Sequence, residues 1–306
     1  MARKIVKVVF NETRGVLVFR HLINAWQKRD LGLSGIIPWE RQILDAASDM
    51  SPVHKAWLLY IFAALNLSRQ KTRTVAKKML AILYNESFRR LINPYEMANK
   101  IFQETSDLYR SRPLLKKFWQ ESIERFKDTD PRQIFIEHGS NKESLISELD
   151  GIPSIGLKVA HLMVAYFEEL ALSRDKEFLE KWPQARSMVV MPIDVHWFKF
   201  LRQCQIIKRF NSEYHNSVIQ QTIDFSCNLC IKYELNHLDL MQGNFYTHSQ
   251  ICALKPEDPD RRKIYCFNNC PLESFCTMIV QPTDQENKSG IVGWSSAKPR
   301  ERLEND

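Results

Sequence analysis

The chain has 306 residues, with 43 Lys and Arg against 36 Asp and Glu and a formal net charge of +7. Its 9 Gly and 13 Pro are too few for collagen-like, low-complexity or turn-rich β architectures. A composition 44% apolar and 26% charged excludes wholesale disorder. No apolar run reaches the roughly 18 residues that a membrane-spanning helix requires. The opening Met1-Ala2-Arg3-Lys4-Ile5-Val6-Lys7 has neither the apolar core nor the small-residue cleavage site of a secretion signal. An intracellular protein is expected: cytoplasmic with the nucleoid in a bacterium or archaeon, nuclear in a eukaryote.

In chain order, residues 3–10 suit a short strand or an extended lead-in. From Gly15 to Arg29, the residues Val16, Val18, Phe19, Leu22, Ile23 and Trp26 recur at helical spacing. Gly32, Gly35 and Pro38 mark a loop, and a second helix is expected from Ile43 towards Ser48. Residues 53–85 are densely helical, first apolar (Trp57, Leu58, Leu59, Ile61, Phe62) and then basic. Asn93-Pro94 signals a helix over Tyr95–Glu104, Arg112-Pro113 one over Leu114–Phe126, and Asp130-Pro131 a shorter one. Further helices are expected over 141–150, over Lys158–Leu172, over Val195–Cys204 behind an N-cap at Asp194, and through 212–241. After Thr277 the chain is polar and aperiodic, so 281–306 is expected to be a mobile tail. The fold class is all-α.

From Arg69 to Arg90 there are seven basic residues (Arg69, Lys71, Arg73, Lys77, Lys78, Arg89, Arg90) against the single acid Glu86. Such an excess suits several phosphates; a solvated helix face explains it equally well. The seven cysteines all lie from Cys204 onward. An odd count in a reducing compartment argues against a disulfide framework. The last four, Cys252, Cys266, Cys270 and Cys276, are spaced C-x13-C-x3-C-x5-C, and four thiolates within 25 residues suit zinc or an iron–sulfur cluster. Cys227 and Cys230 form a C-x2-C inside a helical stretch, where core cysteines are expected. His196, beside Asp194, is expected to be a packed structural histidine rather than a metal ligand.

Ile152-Pro153-Ser154-Ile155-Gly156-Leu157-Lys158-Val159-Ala160 lies between two expected helices. A short turn entering a helix N-terminus presents backbone N–H groups suited to a DNA phosphate. Lys158 falls in the first turn, where a cation opposes the helix dipole. Beside the apolar Val159, Leu162 and Met163 it suits a desolvated, nucleophilic amine. The plainer reading is a surface lysine whose stem covers apolar groups.

This segment resembles the helix-hairpin-helix signature Leu-Pro-Gly-Val-Gly-x-Lys-x-Ala of the endonuclease III-like DNA glycosylases. Three further segments follow the family's order. Leu67-Ser68-Arg69-Gln70-Lys71-Thr72 resembles its Leu-Ser-x-Gln-x-Thr, and Ile193-Asp194-Val195-His196 its Val-Asp-Thr-His. Leu238–Cys252, with Gly243, resembles the helix and glycine turn before the cluster, and Cys270–Cys276 the loop that closes it. The similarity covers roughly residues 50–280.

The resemblance implies a role for each matching position. Lys158 would be the nucleophile that attacks the sugar C1′ and forms a Schiff base, making the enzyme a bifunctional glycosylase and AP lyase. Asp194 would support departure of the base and stabilise the positive charge developing on the sugar; alone it reads as a plain N-cap. Gln70, flanked by Arg69 and Lys71, would fill the space of the extruded nucleotide. Ile152, Ser154 and Gly156 would shape the hairpin that grips DNA. Cys252, Cys266, Cys270 and Cys276 would bind a 4Fe–4S cluster. The implied partner is double-stranded DNA with a damaged or modified base, bound by a monomer without membrane attachment.

Three features depart from the family pattern. Ser154 replaces the first hairpin glycine, which puts the detailed backbone of the turn in question. Lys158 and Asp194 are 36 residues apart, about twice the spacing in endonuclease III, so residues 169–189 read as an insertion. The cysteine spacing is 13-3-5 where the family usually has 6-2-5; a longer first loop closes at little extra entropy.

The resulting organisation is an N-terminal segment, 1–50, packing with a C-terminal lobe, 190–280, around a helical lobe, 51–168, with DNA across the cleft. Basic residues of the cysteine loop, Lys255, Arg261, Arg262 and Lys263, would touch phosphates. Oxidised pyrimidines are the favoured substrate. The alternatives are 8-oxoguanine, mismatched uracil or thymine, an unusual base, a non-catalytic DNA-binding protein on the same scaffold, or a zinc-bound structural module.

Overall fold

The structure, a computed structural model, describes residues 8–65, 72–85, 93–105, 121, 123–152, 155–193, 195–209 and 216–277. Of these, 73% are helical and 2% lie in strands, so the protein is all-α. No helix among the described residues is long and apolar enough to cross a membrane. The chain divides into two units: 37–192, and a second made of 1–36 with 193–306.

The 37–192 unit contains α1 (Trp39–Ala46), α2 (Pro52–Leu65), α3 (Thr72–Leu83), α4 (Pro94–Thr105), α5 (Gln133–His138), α6 (Lys142–Asp150), α7 (Leu157–Ser173) and α8 (Lys176–Lys181). Its centre is α2, in which every residue from Ala56 to Leu65 is at most 1% exposed. A helix that is apolar all round belongs inside a core. Phe62 stacks on Tyr166 of α7 at 5.5 Å, while Trp57 and Tyr60 meet Phe126 edge-on. Asn93 accepts the Tyr95 and Glu96 amides, so Asn93-Pro94 starts α4 as its capping chemistry dictates. The densely helical stretch 53–85 holds the apolar α2 and the basic α3, with 66–71 outside the described residues. The helix expected from Ile43 begins at Trp39, behind Pro38.

Residues 169–189 are part of this core. Phe178 and Trp182 join Phe135 and Phe167 in one aromatic cluster. The Trp182 indole N–H donates to the Gly139 carbonyl at 3.2 Å. A Cβ on Gly139 would lie 2.3 Å from the Trp182 ring nitrogen, so only glycine lets the indole seat there. Asp175 caps α8 through the Phe178 amide and pairs with Arg132, which also holds Asp130.

The second unit contains α9 (Glu12–Lys28), α10 (Val195–Gln203), α11 (Asn216–Lys232), α12 (His237–Tyr246) and α13 (Pro259–Asn269). A two-stranded antiparallel sheet pairs β1 (Val9–Phe10) with β2 (Ile207–Arg209), Val9 opposite Arg209 and Phe10 opposite Ile207. Trp26 of α9 stacks on Tyr246 of α12 at 5.3 Å and donates its indole N–H to Gln242 at 3.1 Å. Gly243 lies inside α12 rather than in a turn: a Cβ there would sit 3.2 Å from Leu22 and Trp26, so its role is close helix packing. The helices expected through 212–241 are α11 and α12, parted after Lys232, where Glu234 takes a left-handed conformation (φ 51°) before Asn236 caps α12. The tail beyond Thr277 and residues 106–120, where most of the helix over Leu114–Phe126 was expected, lie outside the described residues.

Candidate functional site

Asn141 starts α6 by accepting the Ser144 amide at 2.9 Å, and the Gly151 amide closes the helix on the Ser147 carbonyl. Ile152 and Ile155 are each 1% exposed and anchor the connection to α7. The Ile155 amide turns back onto the Ile152 carbonyl at 2.9 Å. Pro153 and Ser154 lie outside the described residues. Gly156 is the N-cap of α7 and has no side chain with which to bond the first-turn amides. Its φ of −86° and ψ of 169° are open to any residue, and among the described residues a Cβ there would meet nothing within 4 Å. Neither backbone strain nor internal packing requires glycine at this position. Its consequence is an uncluttered helix N-terminus at the surface.

Lys158 stands in the first turn of α7 and is exposed. This is the surface lysine of the plainer reading, not a buried amine. The helix dipole opposes its charge, and an anion held at the same helix end would offset that cost. Three residues further on, His161 is only 3% exposed. Its Nδ1 accepts the Met191 amide at 3.3 Å. On α6, Lys142 donates from Nζ to the Val189 carbonyl at 2.9 Å. Burial first, and then the Lys142 charge, hold His161 down to about 4, so it is neutral at neutral pH. Neither residue was singled out by sequence. The usable signal was a lone histidine in the otherwise apolar run of α7.

Asp194 lies outside the described residues, between Ile193 and α10. So do Arg69, Gln70 and Lys71, which join α2 to α3, and Arg89 and Arg90. The basic α3 buries Val75, Ala76, Met79 and Leu83 and exposes Arg73 and Lys77, as an amphipathic surface helix does.

The cysteines of the C-terminal loop are delivered by a run of short elements. A π-helical turn, Thr247–Ile251, leads from α12 into the tighter turn Cys252–Leu254. Asp258 then caps α13, which carries Cys266 and ends at Cys270, and the turn Glu273–Phe275 precedes Cys276. Cys252, Cys266, Cys270 and Cys276 line a single recess together with Gln203, Lys255, Arg262 and Glu273. None of the four is in a disulfide. A hydrogen bond from Cys270 holds the Cys252 thiol well below its ordinary range, helped by His248 and Lys255, and correspondingly raises Cys270. Four unbridged thiols beside two cations are a donor set that fits a negatively charged iron–sulfur cluster. Among the described residues, no three His, Cys, Asp or Glu side chains converge as a ligand group for one metal ion.

Lys255 and Arg262 line the cysteine recess, and Arg262 also bonds the Pro256 and Glu257 carbonyls. Arg261 and Lys263 are exposed. The buried Cys204 is electrostatically coupled to Cys276 and Cys252, a proximity that its distance along the chain concealed. Cys227 and Cys230 are buried, and burial pushes the Cys230 thiol up to about 12, which suits inert core cysteines. Compared with known proteins, the chain matches no family model, no curated protein and no solved structure.

Proposed function

We propose that this protein is an endonuclease III-like DNA glycosylase that extrudes and excises a damaged or modified base, with an AP lyase step through Lys158. The observation that carries the reading is that Cys252, Cys266, Cys270 and Cys276 all line one recess and none is in a disulfide. Those are the four cysteines that the resemblance selects. The exposed Lys158 beside the open N-terminus at Gly156 supports the same reading.

In this mechanism the first turn of α7 takes a DNA phosphate. The target nucleotide leaves the stack, and Gln70 occupies the space left behind. The bond from C1′ to the base breaks as the Lys158 amine bonds to C1′. The base leaves with the bonding pair and takes a proton, and the amine gives up its own proton. Asp194 stabilises the positive charge that the sugar carries meanwhile. Ring opening gives the Schiff base, and loss of the C2′ proton then expels the 3′ phosphate and cuts the strand. A cluster bound by the four cysteines would brace the loop from 252 to 276. Oxidised pyrimidines are the proposed substrate.

A duplex panel tests this reading. It carries oxidised pyrimidines, 8-oxoguanine, uracil and thymine mismatches, an abasic site and undamaged DNA. Release of one damaged base with strand cleavage is expected. Salt-sensitive binding to every duplex alike, without base release, identifies a non-catalytic DNA-binding protein. Gly156→Ala is expected to leave the unfolding midpoint unchanged or slightly raised, since its backbone accepts alanine, while weakening DNA binding by about tenfold. Unaltered affinity removes the phosphate role of that helix end.

A further inference from the structure

The Tyr265 hydroxyl of α13 donates to the Ile251 carbonyl at 3.3 Å, which holds this helix against the turn that Cys252 opens. The Cys270 amide bonds the Cys266 carbonyl at 2.8 Å, so Cys270 sits at the end of the same helix. Across this junction the Cys252 and Cys270 thiols are hydrogen-bonded to each other, and His248 bonds Cys252 from the preceding π-helical turn. Cys252 is half-buried, whereas Cys270 is 5% exposed. Both are thiols in this structure. Sulfurs already in hydrogen-bond contact need only a small side-chain movement to reach the disulfide length of about 2 Å.

We infer that Cys252 and Cys270 are a redox pair: without the cluster, a hydroperoxide closes them to a disulfide, and a dithiol reopens it. The inference rests on the cluster reading for what the disulfide displaces, because sulfurs joined to each other cannot also be two thiolate ligands. Exposure sets the order of the steps. The Cys252 thiolate attacks one peroxide oxygen, the O–O bond breaks, and the second oxygen leaves with a proton as water. Cys252 is then a sulfenic acid, oxidised by the two electrons that the peroxide has taken up. The Cys270 sulfur bonds the Cys252 sulfur, the S–O bond breaks, and hydroxide leaves with the Cys270 proton as water. The disulfide closes the loop from 252 to 270 around a helix that buries none of its side chains, so it keeps that loop tied when no cluster does. It also shields both sulfurs from the irreversible sulfinic and sulfonic states.

The test uses the full chain as purified, the same chain stripped of iron by a chelator under a dithiol, and the variants Cys252→Ser and Cys270→Ser. Each is treated with equimolar hydrogen peroxide, its remaining thiols are alkylated, and disulfide-linked peptides are mapped by mass spectrometry. In the stripped wild type, loss of two of the seven thiols is expected, with Cys252 joined to Cys270. Iron and sulfide should then reload about tenfold less until dithiothreitol is added. The iron-loaded chain should form the disulfide about tenfold more slowly, since its sulfurs are bound. Cys270→Ser should stop at a sulfenic acid on Cys252 that dimedone traps, and Cys252→Ser should leave Cys270 a thiol. A map that joins another pair, such as Cys204 to Cys276, overturns the inference. So does a wild type in which Cys252 passes to sulfinic acid while Cys270 stays a thiol. A disulfide that leaves reloading unchanged overturns the competition with the cluster. A chain that never takes up iron removes the cluster reading, and the peptide map still decides whether the two thiols are a redox pair.

Discussion

With the proposed cluster on Cys252, Cys266, Cys270 and Cys276, Cys270→Ser is expected to lose iron and to destabilise the unit built from 8–36 and 193–277. Cys270 is 5% exposed, its amide bonds the Cys266 carbonyl at 2.8 Å, and its thiol bonds Cys252. The loop has little core of its own, since α13 buries none of its side chains. Its other anchors are few. His21 meets the Pro271 carbonyl at 2.6 Å, Arg14 bonds the Phe275 carbonyl, and Gly32 lets its segment close on the Asn269 carbonyl. Ordering each residue costs about 1–2 kcal/mol of conformational entropy, and these contacts alone offset little of it. Loss of a structural metal centre belongs to the largest single-site effects, on the order of 4 kcal/mol. Iron and sulfide analysis with visible absorption should fall to trace levels in Cys270→Ser, and the unfolding midpoint should drop. Cys230→Ala is the matched control, since its buried thiol stays protonated and lies outside the recess. Full iron content in Cys270→Ser, or iron loss in Cys230→Ala, contradicts the ligand assignment.

Acid is expected to destabilise the 37–192 unit before most of its carboxylates are protonated, and His161 is the reason. Desolvation, followed by the Lys142 charge, lowers it from 6.5 to about 4 in the folded protein. The unfolded chain binds a proton below about 6.5, whereas the folded chain resists until about 4. Stability linked to this histidine is therefore fully present above pH 6.5 and is lost as pH falls towards 4. At 1.36 kcal/mol per unit the loss is about 3 kcal/mol. Denaturant unfolding at pH 7 and pH 4.5 should show a steeper decline for wild type than for His161→Asn, which has no proton to gain. Parallel declines would mean that His161 takes up its proton equally in both states.

The helices were largely legible because their cores are periodic. The apolar run over Lys158–Leu172 became α7, spanning Leu157–Ser173, and Asn93-Pro94 marked the start of α4. The strand Ile207–Arg209 was not legible, because three residues are too few for a period-two pattern. The chain divides at residues 36 and 192 where 50 and 190 were read from the sequence, and the first boundary differs because α1 packs on α2 and α3. Residues 169–189 read as an insertion because Lys158 and Asp194 stand far apart in sequence. Their place in the core rests on Trp182 reaching Gly139, a contact between residues 43 apart. At the candidate site, cysteine spacing announced the four thiols, but not Cys204 near them or the inward use of Lys255 and Arg262. The hydrogen bonds of Lys142 and His161 to Val189 and Met191 were illegible for a related reason. A side chain bonding a distant backbone amide leaves no spacing pattern, and only the oddity of His161 in an apolar helix marked it.

In the proposed reaction Lys158 bonds covalently to the sugar of a damaged nucleotide. Borohydride trapping of wild type and Lys158→Ala on the duplex panel tests it most directly. A cross-link to one damaged duplex and to the abasic site is expected in wild type, and its disappearance in Lys158→Ala with DNA affinity largely kept. A cross-link that survives in Lys158→Ala, or none in the wild type while it still binds DNA, contradicts the account.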